Sequence, residues 1–443
     1  MKNNKNKYII VISTIVWFII FSGVCLYFLF NKYNNIKNIY LDNDNNIVIE
    51  LSSDYETYCY VGNDLNNVKW VSMKDNKCII EYSDSKYIYL RNKFNNIKRY
   101  DNKDLSKVLS ISVNKDKIYL AIGGIKKINV SYEVLGKVDS NILYKSLDDS
   151  IASVSSDGVV TGIKSGNTKI MVSVDSISEY IDVLVTDKIS TYSEYYDYNR
   201  SYLSCGMYSK SDNDLLDEIL LSRVNEAGYK TRAGVLAAVR FLTLEFPYRI
   251  SYFSENGRLH PYGVGSVVDG EGRYYHKGLY LNNSRYQSIE SSMYGPTTWG
   301  CEIYSFPSEG IRKNGFDCSG FISWIVYNGG FECEDLGAGV STIPDMTDLG
   351  KKIKLTDAVN NNSIRAGDLI SGHGIDGGHI AIVAGIKDNK YYIAESLWHA
   401  KPYNGALIKE YTKEALVSNF YWHVDMNDYY KEDGNYTEYW SYW

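Results

Sequence analysis

The pattern of apolar and polar positions divides the chain into an apolar segment, two β-rich regions and a C-terminal region that mixes helices and strands. In the first β-rich region, short runs of alternating residues are separated by Asn- and Asp-rich turns, at a spacing of about 8 to 12 residues. The clearest runs are 46–51, 68–71 and 87–90. This pattern predicts a small β-sandwich over residues 39–103, which we interpret as a spacer or contact module.

The apolar segment contains no charged residue from Tyr8 to Phe30, and Lys7 and Lys32 flank it. A helix of this length spans about 34 Å, which exceeds a hydrocarbon core of about 30 Å. We therefore expect a single-pass membrane anchor over residues 8–30. The lysines of residues 1–7 favour a cytoplasmic tail. A cleaved secretory signal is the alternative, and under both interpretations the remaining chain works outside the membrane.

The second β-rich region covers residues 107–187. Its most specific stretch is 146–162, which reads SLDDSIASVSSDGVVTG. Asp157-Gly158 suits a tight hairpin turn with a positive φ, and the flanking residues are β-branched. The stretch resembles the bacterial group 2 immunoglobulin-like domain, and this resemblance implies a rigid spacer of a surface protein, with direct binding of wall polymer as the alternative. A linker is expected at 188–210.

The C-terminal region, 211–443, begins with helical periodicity. Leu215, Leu216, Ile219 and Leu220 share one face of a helix that starts near residue 211, and a second helix is predicted over 231–244. Both are interpreted as packing helices. The chain carries a formal net charge of −6, so no nucleic-acid partner is expected.

The chain contains seven cysteines, and an odd number leaves at least one free thiol. Cys59 and Cys78 flank a short strand-rich stretch and are candidates for a disulfide. No CxxC pair or HExxH motif occurs, so neither a metal site nor a cofactor is predicted.

Cys318 is the strongest candidate for a reactive residue. Phe321, Ile322, Trp324 and Ile325 follow it at helical spacing, which places the cysteine in the first turn of a helix. Backbone N–H groups and the positive end of the helix dipole favour a thiolate there. A buried structural cysteine is the alternative when this motif is considered alone.

A histidine able to activate the thiol lies downstream. His379 stands at the start of a predicted strand, which a turn folds back through residues 391–395. Residues 379, 381 and 383 share one strand face, and 391, 393 and 395 share one face of the next strand. Whether these faces coincide depends on the turn register, which the sequence leaves open. A Cys on a helix N-terminus facing a His on a sheet is the arrangement of papain-like hydrolases.

Four ordered motifs between residues 230 and 425 resemble those of the NlpC-type cysteine peptidases of bacterial cell walls. They are Trp299-Gly300, 316–321 (FDCSGF), 366–370 (AGDLI) and 379–382 (HIAI). The chain departs from the family pattern in two ways: Cys301 replaces a glycine, and an insertion separates Trp299 from the Asp-Cys motif. Both departures concern the substrate groove.

The resemblance implies catalytic roles for three residues. Cys318 would be the nucleophile, His379 the general base and Glu395 the third catalytic residue, where the family usually has His, Asn or Gln. Ser396 and His399 are the alternatives for that third position. The resemblance also implies that Asp317, Ser319 and Trp299 bind substrate.

The sequence thus predicts a multidomain chain: a transmembrane helix, two small all-β sandwich domains and a C-terminal α+β domain of papain-like, NlpC-type fold. The expected activity is hydrolysis of amide bonds in peptidoglycan stem peptides, after γ-D-glutamate by the resemblance, in the wall outside the cell membrane. The first sandwich would then be a spacer or wall-contacting module. One alternative is a peptidoglycan amidase of related Cys-His fold, and another is a non-catalytic wall-binding or adhesion protein.

Overall fold

The structure is a computed structural model of the 443-residue chain. It describes residues 13–25, 34–83, 85–101, 107–135, 141–175, 177–191, 198–201, 208–252, 302–306, 310–313, 315–331, 333, 349–374, 377–398 and 404–440.

The chain divides into two compact units. The first contains residues 1–114, 130–143 and 172–179, and the second contains residues 115–129, 144–171 and 180–443. The strands of the predicted immunoglobulin-like segment are therefore divided between the two units.

The predicted membrane anchor is described only in part. Residues 13–25 are helical, and residues 8–12 and 26–30 lie outside the described residues. Within the described ranges, no helix combines the length and the apolarity that crossing a bilayer requires.

The first β-rich region is a small β-sandwich, as predicted. One sheet has the strand order β1–β2–β5 and the other β4–β3–β6–β7. The strands are β1 Ile36–Leu41, β2 Ile47–Leu51, β3 Thr57–Gly62, β4 Val71–Ser72, β5 Lys77–Ile80, β6 Tyr87–Asn92 and β7 Ile97–Asp101.

The core of this sandwich forms between its two sheets. Ile47 and Ile49 of the first sheet pack in one buried cluster with Ile88 of the second. Cys59 on β3 forms a disulfide with Cys78 on β5. Because β3 and β5 belong to different sheets, the disulfide links the two layers and confirms the candidate pairing.

The immunoglobulin-like segment contains three sheets with the strand orders β8–β11, β10–β14–β13 and β12–β15–β16–β9. Gly158 lies in the turn between β13 and β14 with a φ of 81°, which confirms the tight turn predicted at Asp157-Gly158. The strands are β8 Lys107–Val113, β9 Lys117–Ala121, β10 Ile125–Lys127, β11 Val130–Leu135, β12 Leu143–Ser146, β13 Ala152–Val154, β14 Val159–Gly162, β15 Gly166–Val174 and β16 Ile177–Thr186.

The C-terminal region contains helices and one large antiparallel sheet. The helices are α1 Lys210–Ala227, α2 Arg232–Arg240, α3 Cys318–Asn328, α4 Leu355–Asn360, α5 Lys413–Asn419 and α6 Asn427–Tyr430, with a π-helical turn Phe241–Glu245 after α2. The strands are β17 Ser251–Tyr252, β18 Glu302–Phe306, β19 Gly310–Lys313, β20 Gly315–Phe316, β21 Lys351–Lys354, β22 Leu369–Gly374, β23 Gly377–Lys387, β24 Lys390–Leu397, β25 Gly405–Tyr411 and β26 Trp422–Asp425.

The first two helices confirm the sequence pattern. Ser209 caps α1 in a reciprocal capping box with Asp212, and Thr231 caps α2 by accepting a hydrogen bond from the Gly234 N–H. The two caps fix where the helices start, while the apolar face predicted for α1 supplies Leu216 to the core.

The large sheet has the order β21–β26–β22–β23–β24–β25, and buried clusters cover both of its faces. Helix α3 packs on β23 and β24. Ile380 and Ile382 point to the cluster that contains α3, whereas Ala381 and Val383 point to the opposite cluster. This alternation explains why strand β23 reads as a continuous apolar run in the sequence.

The segment expected to be a linker is attached to the C-terminal region at the residues that the structure describes. Ile189 is 3% exposed and lies in the core that contains α2. The Arg200 guanidinium donates hydrogen bonds to the carbonyl oxygens of Thr243, Leu244 and Phe246. Those bonds satisfy carbonyls at the end of the π-helical turn, so these parts of the segment are held in place.

Candidate active site

Cys318 is the first residue of helix α3, as the sequence predicts. Asp317 is the N-cap, with a φ of −78°, and its carboxylate accepts a hydrogen bond of 2.6 Å from the Gly320 N–H. The Ser319 hydroxyl also donates to Asp317, at 3.2 Å. The cap thereby fixes the position of the cysteine at the helix N-terminus.

Asp317 and Ser319 are buried, with exposed fractions of 5% and 1%. Their described contacts hold the start of the helix. The substrate-binding role that the resemblance implies for them stays a prediction.

His379 and Glu395 lie on the same face of the sheet. In the pairing of β23 with β24, Ile382 lies opposite Ala394 and Val383 opposite Ile393. Continuing this antiparallel register places Glu395 beside position 381, two residues from His379 on the same face. The structure therefore answers the question of register that the sequence leaves open.

The imidazole and the carboxylate are in direct contact. Nε2 of His379 is 2.8 Å from Oε2 of Glu395. The Glu395 side chain is 1% exposed and that of His379 is 16% exposed, so the contact is largely shielded from water. A carboxylate in this position orients the ring and stabilises its protonated form.

The thiol of Cys318 lies near enough to the imidazole to affect its pKa. Burial acts to lower the pKa of His379, but hydrogen bonding and charge interactions with Cys318 and Glu395 outweigh it and raise the pKa to about 10. The Cys318 residue itself is only partly buried. The structure thus brings Cys318, His379 and Glu395 together.

Two further side chains contact Glu395, and the sequence reasoning missed both. The Tyr411 hydroxyl donates a 2.9 Å hydrogen bond to Oε1 of Glu395, and the Lys409 ammonium lies 4.0 Å from the same oxygen. Both belong to β25, in which Lys409 pairs with Ile393. Lys409 and Tyr411 are two residues apart and therefore share one face of β25. The sequence shows this alternation, but only the pairing register of β24 with β25 shows that the shared face is that of Glu395.

The aspartate of the 366–370 motif forms a second buried polar cluster. Asp368 is fully buried and accepts hydrogen bonds from Arg232, at 2.8 Å, and from Nε2 of His423, at 2.9 Å. Burial acts to raise the pKa of Asp368, but His423 and Arg232 outweigh it and lower the pKa. The cluster joins α2, β26 and the turn before β22, so it has a structural role.

The remaining predicted site residues are placed as follows. Trp299 and the alternative His399 lie outside the described residues. Ser396 is fully buried and follows Glu395 on β24, so its side chain points to the other face of the strand. Of the two candidates for the third position that the structure describes, Glu395 and Ser396, it places Glu395 against His379.

The family comparison concerns the second β-rich region. Residues 107–180 match the family model of the bacterial Ig-like domain (group 2). The prediction of such a domain is thereby confirmed for residues 107–180. A search of curated proteins found no match.

Solved structures of multidomain surface proteins are among those similar to part of this chain. Domains 4 and 5 of the S-layer protein SbsC are 17% identical, with 35% of this chain and 99% of that chain covered and a TM-score of 0.18. The C-terminal 282-residue fragment of intimin, solved with the intimin-binding domain of its receptor Tir, is 14% identical, with 42% and 77% covered and a TM-score of 0.27. At these TM-scores the similarity carries no argument about function.

Proposed function

We propose that the C-terminal region is a papain-like cysteine hydrolase with Cys318 as nucleophile, His379 as general acid–base and Glu395 as the orienting carboxylate. The observation that carries this proposal is the 2.8 Å contact of the His379 imidazole with a buried carboxylate, beside a thiol at a helix N-terminus that acts to raise the pKa of the same imidazole. A histidine that only packs in a core does not need two such partners.

The chemistry follows from the geometry. Transfer of the thiol proton to His379 produces a thiolate beside an imidazolium, which Glu395 stabilises. The thiolate attacks an amide carbonyl, and N–H groups at the start of α3 stabilise the oxyanion. His379 then gives its proton to the leaving amine as the C–N bond breaks, which leaves an acyl-thioester on Cys318. Water, activated by the same imidazole, hydrolyses the thioester and releases a carboxylic acid. No cofactor takes part in these steps.

The proposed substrate class is the peptidoglycan stem peptide. Its support is the resemblance of the four motifs to NlpC-type peptidases, which also implies cleavage after γ-D-glutamate. The comparisons with known proteins concern the Ig-like portion and add no support for hydrolysis. The proposed location, on the outer side of the cell membrane with the hydrolase in the wall, rests on the charge-free stretch from Tyr8 to Phe30.

The test is digestion of purified cell wall by the full chain and by its Cys318→Ala variant. We expect wild-type protein to release soluble muropeptides and Cys318→Ala to release none. Cys333→Ala is the matched control, because Cys333 is a second cysteine of the same region but is 8% exposed and belongs to the core. Lytic activity that survives Cys318→Ala would contradict the proposal.

An amidase of related Cys-His fold is the alternative within hydrolases. Mass spectrometry of the released fragments distinguishes the two activities. Free sugar-lactyl ends indicate the amidase, whereas new D-glutamyl carboxyl ends indicate the endopeptidase.

A non-catalytic surface or adhesion protein is the alternative from another class, and the match to the bacterial Ig-like domain favours it. In that case Cys318 has no catalytic role. Wild-type and Cys318→Ala protein would then bind walls equally, and neither would release fragments.

A further inference from the structure

The outward face of the sheet β4–β3–β6–β7 carries aromatic and arginine side chains. Ile88 and Leu90 on β6 point into the core of the first sandwich, so the residues that alternate with them point outward. We call this outward surface the aromatic face, and its aromatic and arginine side chains are Tyr58, Tyr60, Trp70, Tyr87, Tyr89, Arg91 and Arg99.

Two guanidinium groups of this face are stacked on rings. The guanidinium carbon of Arg91 lies 4.6 Å from the ring centre of Tyr58 and 4.7 Å from that of Trp70. That of Arg99 lies 4.4 Å from the ring centre of Tyr87. Stacking uses the flat faces of a guanidinium and leaves its N–H donors at the edge for a ligand.

These donors have no acceptor among the described side chains. Nε of Arg91 is shielded from solvent without a hydrogen-bond partner. Within the described part of the chain, no carboxylate forms an ion pair with Arg91 or Arg99. Arg99 lies opposite Tyr89 across β6 and β7, and Arg91 follows Tyr89 by two residues. On one sheet face this diagonal separates the two strand positions by about 7–8 Å. The Arg91 guanidinium lies over Tyr58 and Trp70 and that of Arg99 over Tyr87, so an extended polymer that crosses the face can contact both.

Two aromatic rings, those of Tyr60 and Trp70, form the other part of the aromatic face. The Tyr60 ring lies over Gly62, where an added Cβ would be 2.5 Å from the ring carbon Cε1. Glycine therefore lets this ring lie against the sheet and present its other side outward. The Trp70 ring centre is 6.0 Å from that of Tyr60, and the two ring planes are inclined at 58° to each other.

We propose that the aromatic face binds an acidic saccharide. The C–H face of a pyranose ring would stack on Tyr60 or on Trp70, because aromatic faces carry negative charge density that attracts C–H groups. A carboxylate or phosphate of the same polymer would accept hydrogen bonds from Arg91 and Arg99. Single-stranded nucleic acid can use similar groups, but the net charge of −6 disfavours a polyanion of such charge density.

The test is sedimentation of the full chain with purified cell wall, in the Cys318→Ala background so that the wall is not digested. Walls are compared before and after chemical extraction of their phosphate-containing polymers. Binding that is lost on extraction assigns the phosphate polymer as ligand, and binding that persists assigns the carboxylates of the remaining wall. Absence of binding to both preparations would overturn the proposal. Since no hydrolysis is required, the result is independent of the proposed activity.

Two variants test the geometry. Arg91→Lys keeps the charge but loses the planar, stacked fork, and we expect binding to weaken about tenfold. Gly62→Ala keeps every ligand-contacting group but displaces the Tyr60 ring, and we expect binding to weaken about threefold. Lys98→Ala is the control, because Lys98 alternates with Arg99 on β7 and points to the other face.

The circular dichroism and melting temperature of each variant show whether the sandwich is intact. If Gly62→Ala and Arg91→Lys both fold and bind as the parent does, the aromatic face is not the binding site. Equal weakening by Lys98→Ala, or competition by a single-stranded oligonucleotide as effective as that by soluble wall saccharide, would equally overturn the proposal.

Discussion

Replacing Glu395 by Gln tests the proposed catalytic group most directly. The substitution keeps the size of the side chain but replaces the carboxylate that contacts Nε2 of His379 at 2.8 Å. Glu395 is 1% exposed, so solvent screens this contact little. A hydrogen bond to a charged group contributes about 1.5–3 kcal/mol, and one pH unit corresponds to about 1.4 kcal/mol. We therefore expect Glu395→Gln to lower the pKa of His379 by about one to two pH units.

The measurement is the pH dependence of Cys318 alkylation by iodoacetamide, followed by mass spectrometry of the Cys318 peptide. NMR titration of the imidazole C–H signals gives the pKa directly, and the chain has only six histidines to assign. Glu410→Gln is the matched control, since Glu410 is 39% exposed and pairs with Lys390 at the surface. An unchanged His379 pKa in Glu395→Gln, or an equal change in Glu410→Gln, would refute the reasoning.

Three further predictions concern the same domain. Tyr411→Phe removes the hydroxyl that donates to buried Glu395. We expect the free energy of unfolding, measured with urea, to fall by about 1–3 kcal/mol and kcat to fall as well. Full retention of both stability and kcat would show that the hydrogen bond is unimportant. Arg232→Met leaves the Asp368 carboxylate buried without its 2.8 Å partner. We expect the free energy of unfolding to fall by about 3–5 kcal/mol, which a lower urea midpoint would show. A loss below about 1 kcal/mol would contradict this expectation. The pKa of His379 is raised to about 10, so its contribution to stability is complete below pH of about 6.5 and is lost as the pH rises toward 10. The pKa of Asp368 is lowered, so its contribution to stability is present above pH of about 4 and is lost in more acidic solution. Urea midpoints that do not change across these two pH intervals would argue against both pKa shifts.

Local signals in the sequence were sufficient for several parts of the fold. The Asp157-Gly158 turn needs a positive φ, which glycine adopts without cost, so the dipeptide marks the hairpin by itself. Asp317 before the apolar spacing of α3 marks a helix start in the same way, and it places Cys318 at the N-terminus. Such signals depend on contacts within a few residues, which explains their reliability.

The domain boundaries were less accessible to sequence reasoning. The segment expected to be a linker reads as polar and Tyr-rich, yet Ile189 and Arg200 are held by the C-terminal helices. The carbonyl groups that Arg200 satisfies lie more than 40 residues away in the chain. The residue composition of a segment does not show whether it has hydrogen-bond partners so far away in the sequence.

The sequence by itself determined the types of chemical group in the candidate site and the local element that carries each one. The tertiary structure decided which of these groups meet. Side chains alternate along a strand with a period of two, so a register change of one residue would move Glu395 to the opposite face from His379. The register of β24 against its neighbours, set by cross-strand packing and turn geometry, also brings Tyr411 to Glu395. Such pairing depends on contacts between residues that are distant in the chain, so local sequence patterns do not show it.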